Sequence, residues 1–142
     1  MIRKVDDSIS VAPQIQPADI AAIKAAGFVA VVNNRPDHEQ DGQPEGNAVR
    51  AAAEAAGLTY TAIPIGHAGF SHPQIAAMVD LLEGAEGPVL AFCRSGTRSC
   101  NLWALARARM GDAPDTLIEK GAGAGYDLNG LRPLLDQLAA QA

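Results

Sequence analysis

The sequence predicts an α/β fold: one domain over residues 1–142, with a mainly parallel central sheet flanked by helices. Three observations carry this. Short apolar runs, Phe28 to Val32 and Val89 to Phe92, have the length and composition of buried strands. Stretches of helical period separate them, and glycine or proline stands near most boundaries. Strands that alternate with helices form βα units, and right-handed crossovers bring the strand C-termini to one edge of a parallel sheet. A length of 142 residues, 48% of them apolar, suits one domain with a sizeable core.

The elements follow in chain order. Ser8 to Val11 alternates and is expected to be an edge strand. Pro17-Ala-Asp opens a helix carrying Ile20 and Ile23, with Gly27 as its stop. Phe28 to Val32, β-branched at three positions, predicts a central strand, which ends in Asn33-Asn34-Arg35-Pro36-Asp37-His38-Glu39. Glu45 to Ala56 is alanine-rich and helical, closed by Gly57. Leu58 to Ile65 is the next strand, and Gly66 to Phe70 a loop. Ser71 caps a helix with Pro73 in its first turn and Ile75, Met78, Val79 and Leu82 on one face. Val89 to Phe92 is a strand, and a helical pattern after Ser99 runs to about Met110. A short helix spans Asp115 to about Lys120. Gly121 to Gly125 reads as a flexible break, and a last helix carries Leu131, Leu135 and Leu138.

Composition excludes several classes of function. The net charge is −5 without a basic stripe, which argues against nucleic acid and anionic membrane as partners. The start of the chain, Met1 to Asp7, has no apolar run of a signal peptide, and no stretch approaches the roughly 20 apolar residues of a membrane span. Cys93 and Cys100 alone are no disulfide framework, so a reducing cytoplasm is the expected location. No Cys/His cluster has zinc spacing, and neither metal nor other cofactor is expected.

The chemistry gathers at Cys93-Arg94-Ser95-Gly96-Thr97-Arg98-Ser99, between a strand end and a helix start. Backbone N–H groups converge at such a junction, and the helix dipole favours negative charge. A free thiol titrates at roughly 8.5, and two arginines beside a helix N-terminus are expected to lower that value. The loop therefore activates a sulfur nucleophile, Cys93, and cradles an anion on Arg94, Ser95, Gly96, Thr97, Arg98 and Ser99. Ser99 either bonds the thiolate or caps the following helix. Arg35 either binds a substrate anion or pairs with Glu39 or Asp37 to fix its own loop. Asn33 and Asn34 are expected to bond loop backbone. His67 is either the proton donor to a leaving group or an exposed loop histidine. Cys100 is expected in the core rather than as a resolving thiol for an oxidised Cys93, and Trp103 in the core rather than as a substrate platform. Tyr126 either borders the pocket or packs in the core.

The loop Cys93 to Ser99, the upstream Asn33-Asn34-Arg35-Pro36-Asp37, Ile63-Pro64-Ile65 and Gly125-Tyr126-Asp127-Leu128 resemble the phosphatase-like domain of beta-lactamase-hydrolase-like proteins over nearly the whole chain. The resemblance implies a dual-specificity-phosphatase-like fold, in a family described both as phosphatase-like and as sulfurtransferase. Cysteine phosphatases follow the pattern His-Cys-five residues-Arg. Here four residues separate Cys93 from Arg98, and Phe92 precedes the cysteine, a spacing similar to rhodanese loops. A shorter ring of amides closes around a smaller object, and a persulfide's outer sulfur is smaller than a phosphoryl group. The loop Gly66 to Phe70 also lacks the carboxylate that serves phosphatases as general acid.

The leading expectation is therefore sulfane-sulfur transfer through a Cys93 persulfide, from thiosulfate or a persulfide to a small thiol or cyanide, with Arg98 holding the anionic sulfur. The alternative is a phosphatase with a phosphocysteine intermediate. A third class is a non-catalytic anion- or redox-sensing module. The expected partners are a small anionic substrate and a small thiol acceptor, with no nucleic acid and no membrane.

Overall fold

A computed structural model describes all residues, 1–142. Five strands form one sheet: β1 (Arg3–Asp6), β2 (Ile9–Ala12), β3 (Ala30–Asn33), β4 (Thr59–Ala62) and β5 (Val89–Phe92), in the order β1-β2-β5-β3-β4. β1 pairs antiparallel with β2, and every other pair is parallel. The helices are α1 (Ile20–Ala25), α2 (Gly46–Ala55), α3 (His72–Gly84), α4 (Thr97–Arg109), α5 (Pro114–Gly123) and α6 (Arg132–Ala140).

Strand alternation divides the core in two. Val89 and Ala91 of β5 face a cluster with residues of α3, α4, α5 and α6. Leu90 and Phe92 face a smaller cluster with Ile20 and Ile23 of α1 and Val49 and Ala53 of α2. Both faces of β5 are thus covered, which is why its run is continuously apolar. α4 lies against the sheet between its neighbouring helices, and Ser99, Cys100, Ala108 and all of Leu102 to Ala106 are buried.

Besides one- or two-residue shifts such as β3 starting at Ala30 and Leu131 standing just before α6, the structure departs from the expected elements in four places. Ile9–Ala12 is not an edge strand, because β1 lies outside it. Arg3, Lys4 and Asp6 hide β1 from an apolar pattern, since this strand is held by backbone pairing to β2 with Val5 alone buried. The strand expected over Leu58 to Ile65 is regular only at Thr59–Ala62, as Pro64 has no N–H for a ladder. Ile63 and Ile65 still donate backbone N–H groups to the Asn33 and Asn34 carbonyls, both at 2.9 Å. α4 begins at Thr97 rather than after Ser99, which places Arg98 and Ser99 in its first turn. The glycine-rich segment is not a break from Gly121: α5 continues to Gly123. There Gly121 is buried, and a Cβ on it would stand 2.5 Å from Leu128 Cδ1. Close packing of α5 on Leu128, in the segment that follows it, and not flexibility, accounts for that glycine.

Candidate active site

Parallel strands β2, β3, β4 and β5 end together, so the loops after Ala12, Asn33, Ala62 and Phe92 share one edge of the sheet. Cys93 follows β5 directly, and its N–H donates to the Ala12 carbonyl at 3.3 Å. Asn34 donates from its backbone to the Phe92 carbonyl at 2.8 Å, which keeps the next loop against the cysteine. Cys93 is fully buried. Its Sγ accepts the Gly96 N–H at 3.1 Å. Gly96 takes φ 91°, in the left-handed region that lets this amide turn inward just before α4 begins.

Arg98 projects from the first turn of α4. Its two terminal nitrogens grip Glu39 at 2.7 and 2.9 Å, a bidentate pair. Nη1 also donates to the Ile65 carbonyl at 2.7 Å, so loops from β3, β4 and β5 meet on one guanidinium. Glu39 is held down to about 2, first by its bonds to Arg98 and then by Arg35, against the opposing effect of burial. The Arg98 charge is reinforced in turn, chiefly by Glu39 and to a lesser degree by the Cys93 sulfur.

Arg35 is buried, and each of its three guanidinium nitrogens has a partner. Nε donates to Glu39 at 2.9 Å, Nη1 to Gln14 at 3.1 Å and Nη2 to Gln40 at 3.4 Å. Of the two roles weighed for Arg35, the structure shows the pairing with Glu39, which fixes the loop. Ser99 is corrected. Its hydroxyl neither bonds the sulfur nor caps the helix, but donates to Asn34 Oδ1 at 2.8 Å in the interior. Asn34 in turn donates to the Ile63 carbonyl at 2.9 Å, as expected for a side chain that satisfies loop backbone. Arg94 is exposed and makes no hydrogen bond or ion pair through its side chain. Ser95 and Thr97 are exposed and bond each other at 3.0 Å. His67 is exposed and without a hydrogen bond, in the loop that begins beside the Ile65 carbonyl.

Two further residues meet the loop: Glu39, which its sequence position marks only as a candidate partner of Arg35, and Tyr126, for which the pocket border was one of two readings. Glu39 had one signal, its i,i+4 spacing from Arg35; its contact with Arg98 spans 59 residues and has no local signature. Tyr126 donates its hydroxyl to the Ser95 carbonyl at 3.0 Å, so it borders the loop. Cys100 packs in the core as expected, and burial pushes its thiol up to about 12. No three His, Cys, Asp or Glu side chains gather as a metal-holding group. A groove of about 730 Å³ is lined by Val29, Gly57, Thr59 and Glu86 among others. It opens at the N-terminal ends of β3 and β4, away from the sulfur.

Chemically, a thiol beneath an inward amide, at a helix N-terminus and beside a fixed guanidinium, suits a nucleophile whose reaction partner carries negative charge. Comparison with known proteins places the arrangement. The family described as "Beta-lactamase hydrolase-like protein, phosphatase-like domain" matches residues 1–110. A beta-lactamase hydrolase-like protein of Agrobacterium fabrum is 36% identical over 126 residues, 88% of this chain but 29% of that protein. The chain therefore spans about three-tenths of the length of that relative. A solved structure from Neisseria meningitidis, described as a candidate phosphatase, is 33% identical with a TM-score of 0.82, covering 96% of this chain and 97% of that one. Tk-PTP in its active form superposes with a TM-score of 0.75 at 17% identity, over 99% of this chain and 97% of its own. At that identity the likeness speaks for the fold, a cysteine-phosphatase fold.

Proposed function

The chain belongs to the phosphatase-like domain family of beta-lactamase hydrolase-like proteins, and from that membership and the geometry around Cys93 we propose a cysteine-dependent phosphatase acting on a phosphate monoester. The observation that carries the reading is the alignment of three features: Cys93 beneath the Gly96 amide, the first turn of α4, and Arg98 clamped by Glu39. The Cys93 thiolate attacks phosphorus. An S–P bond forms, the ester P–O bond breaks, and the leaving oxygen takes a proton from water or from His67. Water then attacks phosphorus, the S–P bond breaks, and inorganic phosphate leaves with the thiolate restored. Loop amides and Arg98 offset the charge on the phosphoryl oxygens in both steps. Glu39 and Arg35 act behind Arg98, holding its fork in place.

One observation favours a second reading, sulfur transfer. Only four residues lie between Cys93 and Arg98, and no carboxylate stands in the loop Gly66 to Phe70. In that reaction Cys93 takes the outer sulfur of thiosulfate, sulfite leaves, and a small thiol attacks the persulfide's outer sulfur. The phosphatase names of the family and of the Neisseria relative weigh against it.

Aryl phosphate hydrolysis and thiosulfate-to-thiol transfer, assayed on one preparation with Cys93→Ser as control, separate these readings. We expect phosphate hydrolysis to have the larger kcat/KM and to vanish in the variant. Dominant thiosulfate turnover would put sulfur transfer in its place. Failure of both, with Cys93 still reactive to alkylation, would leave the sensing module.

A further inference from the structure

The Cys93 sulfur is fully buried, yet the loop that covers it has an exposed outer wall, Arg94 and Ser95. Among the hydrogen bonds of Arg94, Ser95 and Gly96, only one reaches an element other than the loop and its helix. It is the bond from the Tyr126 hydroxyl to the Ser95 carbonyl, at 3.0 Å. The same hydroxyl abuts Gly96 so closely that a side-chain carbon there would collide with it. Gly96 is thus held from both sides. Its amide donates inward to Cys93 Sγ at 3.1 Å, and Tyr126 closes the outside.

Tyr126 is itself braced. Its N–H donates to the Gly121 carbonyl at 2.9 Å, at the end of α5. The preceding residue, Gly125, turns the chain with φ 96°. Arg3 of β1 donates to the Ala124 carbonyl at 3.3 Å, and its Nη1 stands 2.7 Å from where a Gly125 Cβ would be. The ring is half-buried, and burial raises the hydroxyl's pKa.

We propose that Tyr126 is a positioning residue of the Cys93 loop: its hydroxyl latches Ser95 and Gly96 over the sulfur and so sets how readily an anionic substrate reaches it. This rests on the reading of Cys93 as the nucleophile, whichever group it transfers. The latched loop covers the sulfur and turns the Gly96 amide onto it. An incoming anion needs both the sulfur and that amide, so it binds the unlatched loop. A ligand that binds one of two states shows an affinity scaled by that state's population. Loss of the latch must therefore speed access to the sulfur and strengthen anion binding by one common factor.

The test uses Tyr126→Phe, which keeps the ring and removes the hydroxyl, in a Cys100→Ala background. Cys93 alkylation by iodoacetamide is measured at its alkaline plateau, where the rate reads access rather than ionisation. Protection by inorganic phosphate gives anion affinity. Loss of one hydrogen bond predicts alkylation about three- to tenfold faster, with the phosphate protection constant tightened by the same factor. An unchanged alkylation rate overturns the proposal. So does faster alkylation with unchanged or weaker protection, which would make the hydroxyl part of the cradle instead. If phosphate does not protect the parent protein, thiosulfate replaces it, and the phosphatase reading fails without touching the latch. If neither protects, alkylation alone decides. Arg3→Met, which removes the brace at Ala124, is expected to move both readouts the same way by less, and it carries the test if Tyr126→Phe lowers the melting temperature sharply.

Discussion

At the scale of single residues, the site turns on the Arg98–Glu39 pair. A guanidinium offers a planar fork to Glu39 on one side while carrying charge toward the sulfur, and lysine has no such fork. Arg98→Lys should lose roughly ten- to a hundredfold in kcat/KM despite keeping its charge, as expected for one good charge-assisted bond of about 1.5–3 kcal/mol. Unchanged turnover would place Arg98 outside the reaction. Glu39 lends itself to a pH test. Its folded value is about 2 against an ordinary 4.5. A group with a depressed folded pKa stabilises above its unfolded value and loses that contribution as pH falls through the folded one. The melting temperature of the native protein should therefore drop between about pH 4.5 and 2 more steeply than that of Glu39→Gln. Parallel acid limbs would mean that the ion pair does not persist in solution. The sequence made Cys93 and Arg98 legible because both sit in one contiguous loop. Glu39's second partner was not legible, because the contact is made by folding across 59 residues.

At the scale of elements, glycine positions separate local from tertiary causes. A glycine-rich run read alone suggests flexibility, yet Gly121 lies inside α5 against Leu128, which is itself 1% exposed. Gly123 in the same helix has open space around it. Alanine gains helix propensity at either site, up to about 1 kcal/mol. At Gly121 it also overpacks the core, a cost of about 1–3 kcal/mol. Urea unfolding should show Gly121→Ala destabilised and Gly123→Ala neutral or stabilised. Equal effects would mean that α5 does not pack on Leu128 as described. β5 is the contrasting case. Its boundaries were readable because both its faces are buried, which leaves an uninterrupted apolar run bounded by Pro88 and the Cys93 loop. β1 was unreadable because its pairing to β2 is a property of backbone rather than side chains.

At the scale of the whole molecule, α4 joins the core to the chemistry, since its first turn carries Arg98 and its body is enclosed by the sheet, α3, α5 and α6. Leu105 has no exposed surface. Leu105→Ala should cost about 2–5 kcal/mol in chemical denaturation, a large share of the roughly 5–15 kcal/mol that holds a domain together. A cost under 1 kcal/mol would contradict the enclosed helix. The sequence by itself determined the alternation of strands and helices, the apolar strand β5, and the Cys93 loop at a helix start. These are local patterns, set by side-chain period and by residues adjacent in the chain. Only the tertiary structure decided that β1 forms the sheet edge outside β2, that Arg35 bonds Glu39, that Ser99 turns inward to Asn34, and that the Tyr126 hydroxyl bonds the Ser95 carbonyl. Each of those depends on which polar group lies within hydrogen-bonding reach once distant segments pack, and no periodicity in the chain encodes that distance.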